Sequence, residues 1–167
     1  MPFLLLCVLF FQSCAKHPAL PASQQVRAET VQTDQGDGEI LRIAEDARRT
    51  LPIFFRHLTR AGAGDNSFCI KHPFRADDGS GVAMEQLWLT GVHFRNGEYY
   101  GILANTPVHI DGMKKGDTVI FDVETVTDWM YIRDGKIAGG LSIRYLLEKI
   151  PESQRSEQQW EMLLLFE

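Results

Sequence analysis

Two stretches of this chain, rich in apolar and aromatic residues, read as strands, and each runs into a dipeptide suited to a two-residue hairpin. Val126 to Ile132 leads to Asp134-Gly135, and Ala83 to Arg95 leads to Asn96-Gly97. Asn-Gly and Asp-Gly are type I′ signals because both turn residues need φ > 0. The returning strands are Lys136 to Gly140 and Glu98 to Asn105. The turns predict the registers: Ile132 opposite Ile137, Tyr131 opposite Ala138, Met130 opposite Gly139 and Trp129 opposite Gly140 in one hairpin. In the other, Arg95 meets Glu98, Phe94 meets Tyr99, His93 meets Tyr100, Leu89 meets Ala104 and Trp88 meets Asn105. Thr118 to Val123, with Val119, Phe121 and Val123 alternating against Thr118, Ile120 and Asp122, predicts a further strand. Ser67 to Arg75 carries Phe68, Ile70, His72 and Phe74 on one parity, with Pro73 predicting an edge position.

Helical spacing flanks the strands. Ile40, Ile43, Ala44, Ala47 and Leu51 follow Asp37-Gly38, and Ile53, Phe54, Phe55 and Leu58 continue the apolar stripe. Pro52 predicts a kink or a restart near Thr50, since proline inside a helix lacks the N–H and crowds the preceding turn. Ser142 to Lys149 and Glu157 to Phe166 predict two short helices separated by Pro151. The pattern as a whole predicts an α+β fold: an antiparallel sheet of five or six strands, built from the two hairpins and packed with N-terminal and C-terminal helices in one domain over 38–167.

The 83–105 hairpin is apolar on both sides. Period two assigns Trp88, Val92, Phe94, Tyr99 and Leu103 to one face and Leu87, Leu89 and Ile102 to the other, which suits a central position. In the 126–140 hairpin, aromatic residues meet small ones. Trp129 and Tyr131 beside Gly139-Gly140 either cover bare backbone as core or, with Trp88, form a platform on which an extended peptide or a glycan of the envelope lies. A core tryptophan is the plainer expectation.

Phe3 to Phe11 is an uninterrupted apolar run, well short of the ~20 residues a membrane-spanning helix needs. Ser13-Cys14 and a polar, Pro-containing stretch follow it, an arrangement that resembles a bacterial lipoprotein signal. That resemblance implies a signal peptide over 1–13, a lipid on Cys14 and a tether over 14–37, which as a coil reaches on the order of 25 Å. It implies anchoring in the cell envelope, at an outer membrane if the cell has one. Secretion as a soluble or periplasmic protein is the alternative. Cys69 is then left as a small buried hydrophobe.

A net charge of −5 with no extended basic cluster argues against a nucleic-acid partner. His72, His93 and His109 lack metal-ligand spacing, so no metal or cofactor is expected. Cys69 and His72, three apart on a strand, point to opposite faces and cannot act as a nucleophile and its base. Glu85 and Asp128 are the carboxylates from which a hydrolase could be built, if they converge. The motifs therefore favour a non-catalytic binding or accessory module, with a carboxylate-dependent hydrolase as the alternative.

Glu85-x-x-Trp88, Tyr100-Gly101-x-Leu103-x-Asn105-x-Pro107, Gly116-Asp117-x-Val119, and Asp128-Trp129-Met130-Tyr131 followed by Gly135-Lys136-x-x-Gly139-Gly140 occur here in one order. Together they resemble the bacterial domain-of-unknown-function family 2314, the YegJ-like family, over roughly Ile40 to Leu147. The resemblance implies a bacterial source and carries no catalytic or binding residue across.

Overall fold

The computed structural model describes residues 38–167 apart from 77, 78 and 80. The apolar tract, Cys14 and the tether expected over 14–37 lie outside the described residues. Helix α1 (Gly38–Thr59) is followed by strands β1 (Asp65–Arg75), β2 (Met84–Arg95), β3 (Glu98–Leu103) and β4 (Thr118–Phe121). A 3₁₀ turn at Val123–Thr125 leads into β5 (Asp128–Arg133) and β6 (Lys136–Gly139). Helix α2 (Leu141–Lys149) and helix α3 (Glu157–Leu165) close the chain. The six strands form one sheet in the order β4-β3-β2-β1-β5-β6, with every neighbour antiparallel. This is an α+β fold.

Helix α1 covers one face, here the front. It buries Ala47, Leu51 and Phe54 against Ile70, Leu87, Leu89, Leu103, Phe121, Trp129 and Tyr131. Helices α2 and α3 cover part of the back, where Ile143, Leu147 and Met162 pack on Cys69, Trp88, Met130 and Ile137. Each large apolar side chain fully withdrawn from water contributes roughly 1.5–3 kcal/mol. The core is therefore split by the sheet into two layers.

Helix α1 runs unbroken through Pro52, contrary to the predicted kink. The proline ring faces solvent while Leu51 and Phe54 on either side are buried, so packing holds the helix across the missing hydrogen bond. No restart occurs near Thr50. Its hydroxyl donates to the Asp46 carbonyl within the helix, at 2.6 Å.

Strand β1 is central, between β2 and β5, rather than at an edge. Pro73 is tolerated there because β5 begins only at Asp128, opposite Lys71. The Lys71 carbonyl points toward that side, accepting from Thr127 N–H at 2.9 Å. By alternation the nitrogen of Pro73 points the same way, past the end of β5, where no ladder bond is lost.

The 126–140 hairpin has the predicted register from Arg133–Lys136 to Met130–Gly139. The 83–105 hairpin follows prediction only near its turn. Between His93–Tyr100 and Thr90–Ile102 the register shifts, so Leu89 meets Leu103 rather than Ala104. Gly91, with φ of +59°, lies in this bulge. One extra residue reverses the parity of the strand. Trp88 therefore faces back, while Leu87, Leu89, Val92 and Leu103 all face front, which corrects the assignment from strict alternation.

Candidate functional site

The residues expected to form an aromatic platform are structural. Trp88, Trp129 and Tyr131 are all buried. Trp129 Nε1–H donates to the Ala47 carbonyl and the Thr50 hydroxyl, both at 3.1 Å, locking the indole to α1. Gly139, with φ of +78°, leaves no groove: a Cβ there would stand 2.3 Å from the Trp129 carbonyl oxygen and 2.7 Å from its ring. Gly140 is the left-handed N-cap of α2, and its N–H donates to the Trp129 carbonyl at 2.8 Å. The phenyl ring of Phe166 fills the space beside it. Aromatic-on-glycine here is backbone covered by core.

The two candidate carboxylates do not converge. Glu85 pairs with Phe74 and faces front, whereas Asp128 pairs with Lys71 and faces back. Each is occupied by backbone amides. Glu85 accepts from Val108 N–H at 2.8 Å and His109 N–H at 2.8 Å, pinning the loop between β3 and β4. Asp128 accepts from Trp129 N–H, from Ser142 N–H at 2.8 Å and from the Ser142 hydroxyl at 2.6 Å, so it caps α2 from a neighbouring strand. Burial pushes the Asp128 carboxyl above its ordinary range, opposed by Ser142 and by Lys71, whose ammonium donates to Ser142 Oγ at 3.2 Å.

A polar cluster that the spacing did not predict ties the end of α1 to the sheet. His57 stacks on Tyr131 with ring centroids 5.0 Å apart, and its Nδ1 lies 2.8 Å from Asp65 Oδ2. Arg133 donates to His57 Nε2 at 2.8 Å and also contacts the Tyr131 hydroxyl. That fits a ring carrying its N–H on Nδ1. The hydrogen bond from His57 holds the Asp65 carboxyl below its usual range, while burial raises the Tyr131 hydroxyl. Every member has a partner inside the cluster, which is what a structural tie requires. Cys69 faces back and His72 faces front, beside Phe74 and Phe121. Burial lowers the pKa of His72, whose Nε2 lies 2.7 Å from the Thr125 hydroxyl. Among the described residues no group of His, Cys, Asp and Glu could hold a metal ion.

What the fold leaves open is the back of the sheet beyond Trp88. Helices α2 and α3 stop there, and among the described residues no helix lies over the cross-strand row Thr90–Ile102–Thr118 and its neighbour His93–Tyr100–Ile120. Ile120 is 54% exposed and Ile102 37%. The rings of His93 and Tyr100 stack at 5.3 Å. Strict alternation hid this surface, because it set Trp88 and Val92 on one face; the glycine in mid-strand at 91 was the signal that could have revealed the flip.

A six-stranded antiparallel sheet with helices on both faces defines a small α+β domain, in which the described candidate carboxylates Glu85 and Asp128 do not converge. The profile of the family described as "Uncharacterized protein conserved in bacteria (DUF2314)" matches residues 37–164, and the chain belongs to that family. It is 32% identical over 111 residues to uncharacterized protein YegJ of Escherichia coli K12, covering 66% of this chain and 69% of that one. It is 29% identical over 128 residues to a protein of Neisseria meningitidis serogroup B named "Putative ankyrin repeat protein", covering 74% of this chain. The match spans 51% of that relative's length. No solved structure matches the chain.

Proposed function

We propose that this domain is a non-catalytic binding or accessory module of the bacterial envelope, held there by a lipid on Cys14. Its partner is a protein segment laid across the bare back of β2, β3 and β4. The observation that carries this reading is the exposure of Ile102 and Ile120 beside the His93–Tyr100 ring stack on the back of β2, β3 and β4. Apolar side chains grouped on a sheet face mark interaction surfaces more often than isolated ones do. Aliphatic residues with one ring pair suit a protein better than a glycan, whose usual aromatic platform would have needed Trp129 or Tyr131 at the surface. The relative named for ankyrin repeats fits the same reading, since stacked repeats present extended binding surfaces and the matched domain spans half of that chain. The hydrolase alternative draws no support, because Glu85 and Asp128 lie on opposite faces and are saturated by amides.

A photo-activated cross-linker placed at Ile102 in living cells tests the proposal, with the same group at exposed Arg42 on α1 as the control. The expected outcome is a discrete adduct from Ile102, none from Arg42, and an adduct that fractionates with membranes until Cys14→Ala releases it. No adduct at Ile102, or equal adducts from both positions, sinks the binding surface. A soluble wild type sinks the anchor.

A further inference from the structure

The two rims of the sheet are finished differently. A strand at a rim presents unpaired N–H and C=O groups to any other strand that can reach them. On β6 that edge is occupied by the chain's own C-terminus: Ile137 bridges Phe166 in parallel, and its carbonyl accepts from Glu167 N–H at 3.1 Å. Strand β4, at the other rim, has no such cover among the described residues. The Asp117 carbonyl points into the sheet, accepting from Leu103 N–H at 2.9 Å. Backbone groups alternate along a strand, so Val119 and Phe121 also point inward. Thr118 and Ile120 present theirs to solvent. The strand Thr118–Phe121 contains no proline and no charged side chain; its shortness is its one protection.

The flanks of β4 say what could pair with it. Exposed Lys114 and Lys115 precede it, and exposed Asp122 and Glu124 follow it. With half-buried Asp117 also before the strand, the leading flank still carries net positive charge and the trailing flank net negative charge. A second copy running antiparallel brings each basic end to the other's acidic end.

We propose that β4 pairs antiparallel with β4 of a second copy across a two-fold axis. The outward backbone groups set the register, with Thr118 and Ile120 exchanging hydrogen bonds with Ile120 and Thr118 of the second copy and Val119 meeting Val119 on the axis. Beyond the paired residues, the turn carrying Lys114 and Lys115 lies at the same end of the joint as the 3₁₀ turn of the second copy with its Asp122 and Glu124, twice by symmetry. On the back, each Ile120 then lies beside the other copy's Thr118, and the two bare faces join on the same side of a continuous sheet. The pairing does not depend on the binding surface proposed above, although it would double it.

Sedimentation of the full chain in detergent solution across a wide concentration range tests this. The expected result is a monomer–dimer equilibrium that weakens as salt is added. Lys114→Glu should weaken the dimer by about tenfold, and Lys114→Glu combined with Glu124→Lys should restore it, which a merely structural role for Lys114 would not do. Ile120→Pro removes an outward N–H and no bond to β3, so it should leave the thermal melt near normal and abolish the dimer. A wild type that stays monomeric overturns the proposal, as does a dimer indifferent to both the charge swap and Ile120→Pro. A monomer that still cross-links at Ile102 would sink the pairing alone; a dimer without an adduct would sink the binding surface alone.

Discussion

Among the described residues, the half of the sheet formed by β1, β5 and β6 has helices on both faces, whereas the half formed by β3, β4 and the end of β2 has a helix only on the front, where Phe94 at the rim is itself 61% exposed. In the covered half, nearly every special residue serves the fold internally, as Trp129 ties to α1, Asp128 caps α2, and Gly140 starts α2. In the other half, the back carries Ile102 and Ile120 with no helix over them among the described residues, which also leave the rim open. The difference teaches where to look for a partner. Residues that look functional in a sequence because they are aromatic or glycine can be used up by packing, and in this domain those residues concentrate in the covered half.

The largest expected effect is Trp129→Ala. It removes a buried indole, a contact with Phe54 at 5.9 Å between centroids, and the hydrogen bonds to Ala47 and Thr50. Truncation of a buried aromatic side chain costs about 3–5 kcal/mol. Chemical denaturation should register that loss as a lower midpoint with an unchanged slope. A cost below about 1 kcal/mol would mean that the covered half is less tightly packed than its burial implies, and the contrast between the halves would weaken.

A glycine pair sharpens the same contrast at smaller size. Gly139 and Gly97 both have positive φ, +78° and +87°, but only at Gly139 would a Cβ collide with backbone and an aromatic ring. Gly97→Ala, in the open turn between β2 and β3, suffers only the strained backbone, about 1 kcal/mol. Gly139→Ala adds steric overlap and should cost roughly 2–4 kcal/mol in all. Parallel thermal melts of the two variants decide it. Equal losses would show that strain alone sets both, and that Trp129 can move aside.

How much of this was legible in the sequence follows from the same physics. The two turns were readable because Asn96-Gly97 and Asp134-Gly135 encode positive φ locally, and the strands paired beside them as the turns require. What failed was whatever depended on distant packing. Pro52 looked like a helix break, yet Leu51 and Phe54 anchor the helix on both sides of it. Pro73 looked like an edge because nothing in the sequence says that β5 starts opposite Lys71. The exposed face was invisible for a third reason. A bulge of one residue at Gly91 inverts the parity of everything before it, so alternation placed Trp88 on the wrong side. The roles of Glu85 and Asp128 were also hidden, since their amide partners lie 23 and 14 residues away in the chain.

The smallest expected effect is the most informative about the bare half. Ile120→Thr keeps a β-branched side chain on β4, so strand preference is retained and only exposed aliphatic surface is lost. Ile120 is more than half exposed, and its neighbour across the ladder, Tyr100, is itself only partly buried. With so little area to forfeit, the change in stability at low protein concentration should stay within about 0.5 kcal/mol, the range of ordinary surface substitutions. The measurement is a denaturant melt of wild type and variant at one dilute concentration, then again at a high one. Equal melts at low concentration place Ile120 at a free surface in the monomer. A gap that opens only at high concentration ties Ile120 to a second copy, because association stabilises by mass action. A cost above about 1.5 kcal/mol even when dilute would mean that something within the chain covers this face, and the two halves of the sheet would no longer differ in the way that a partner on the bare half requires.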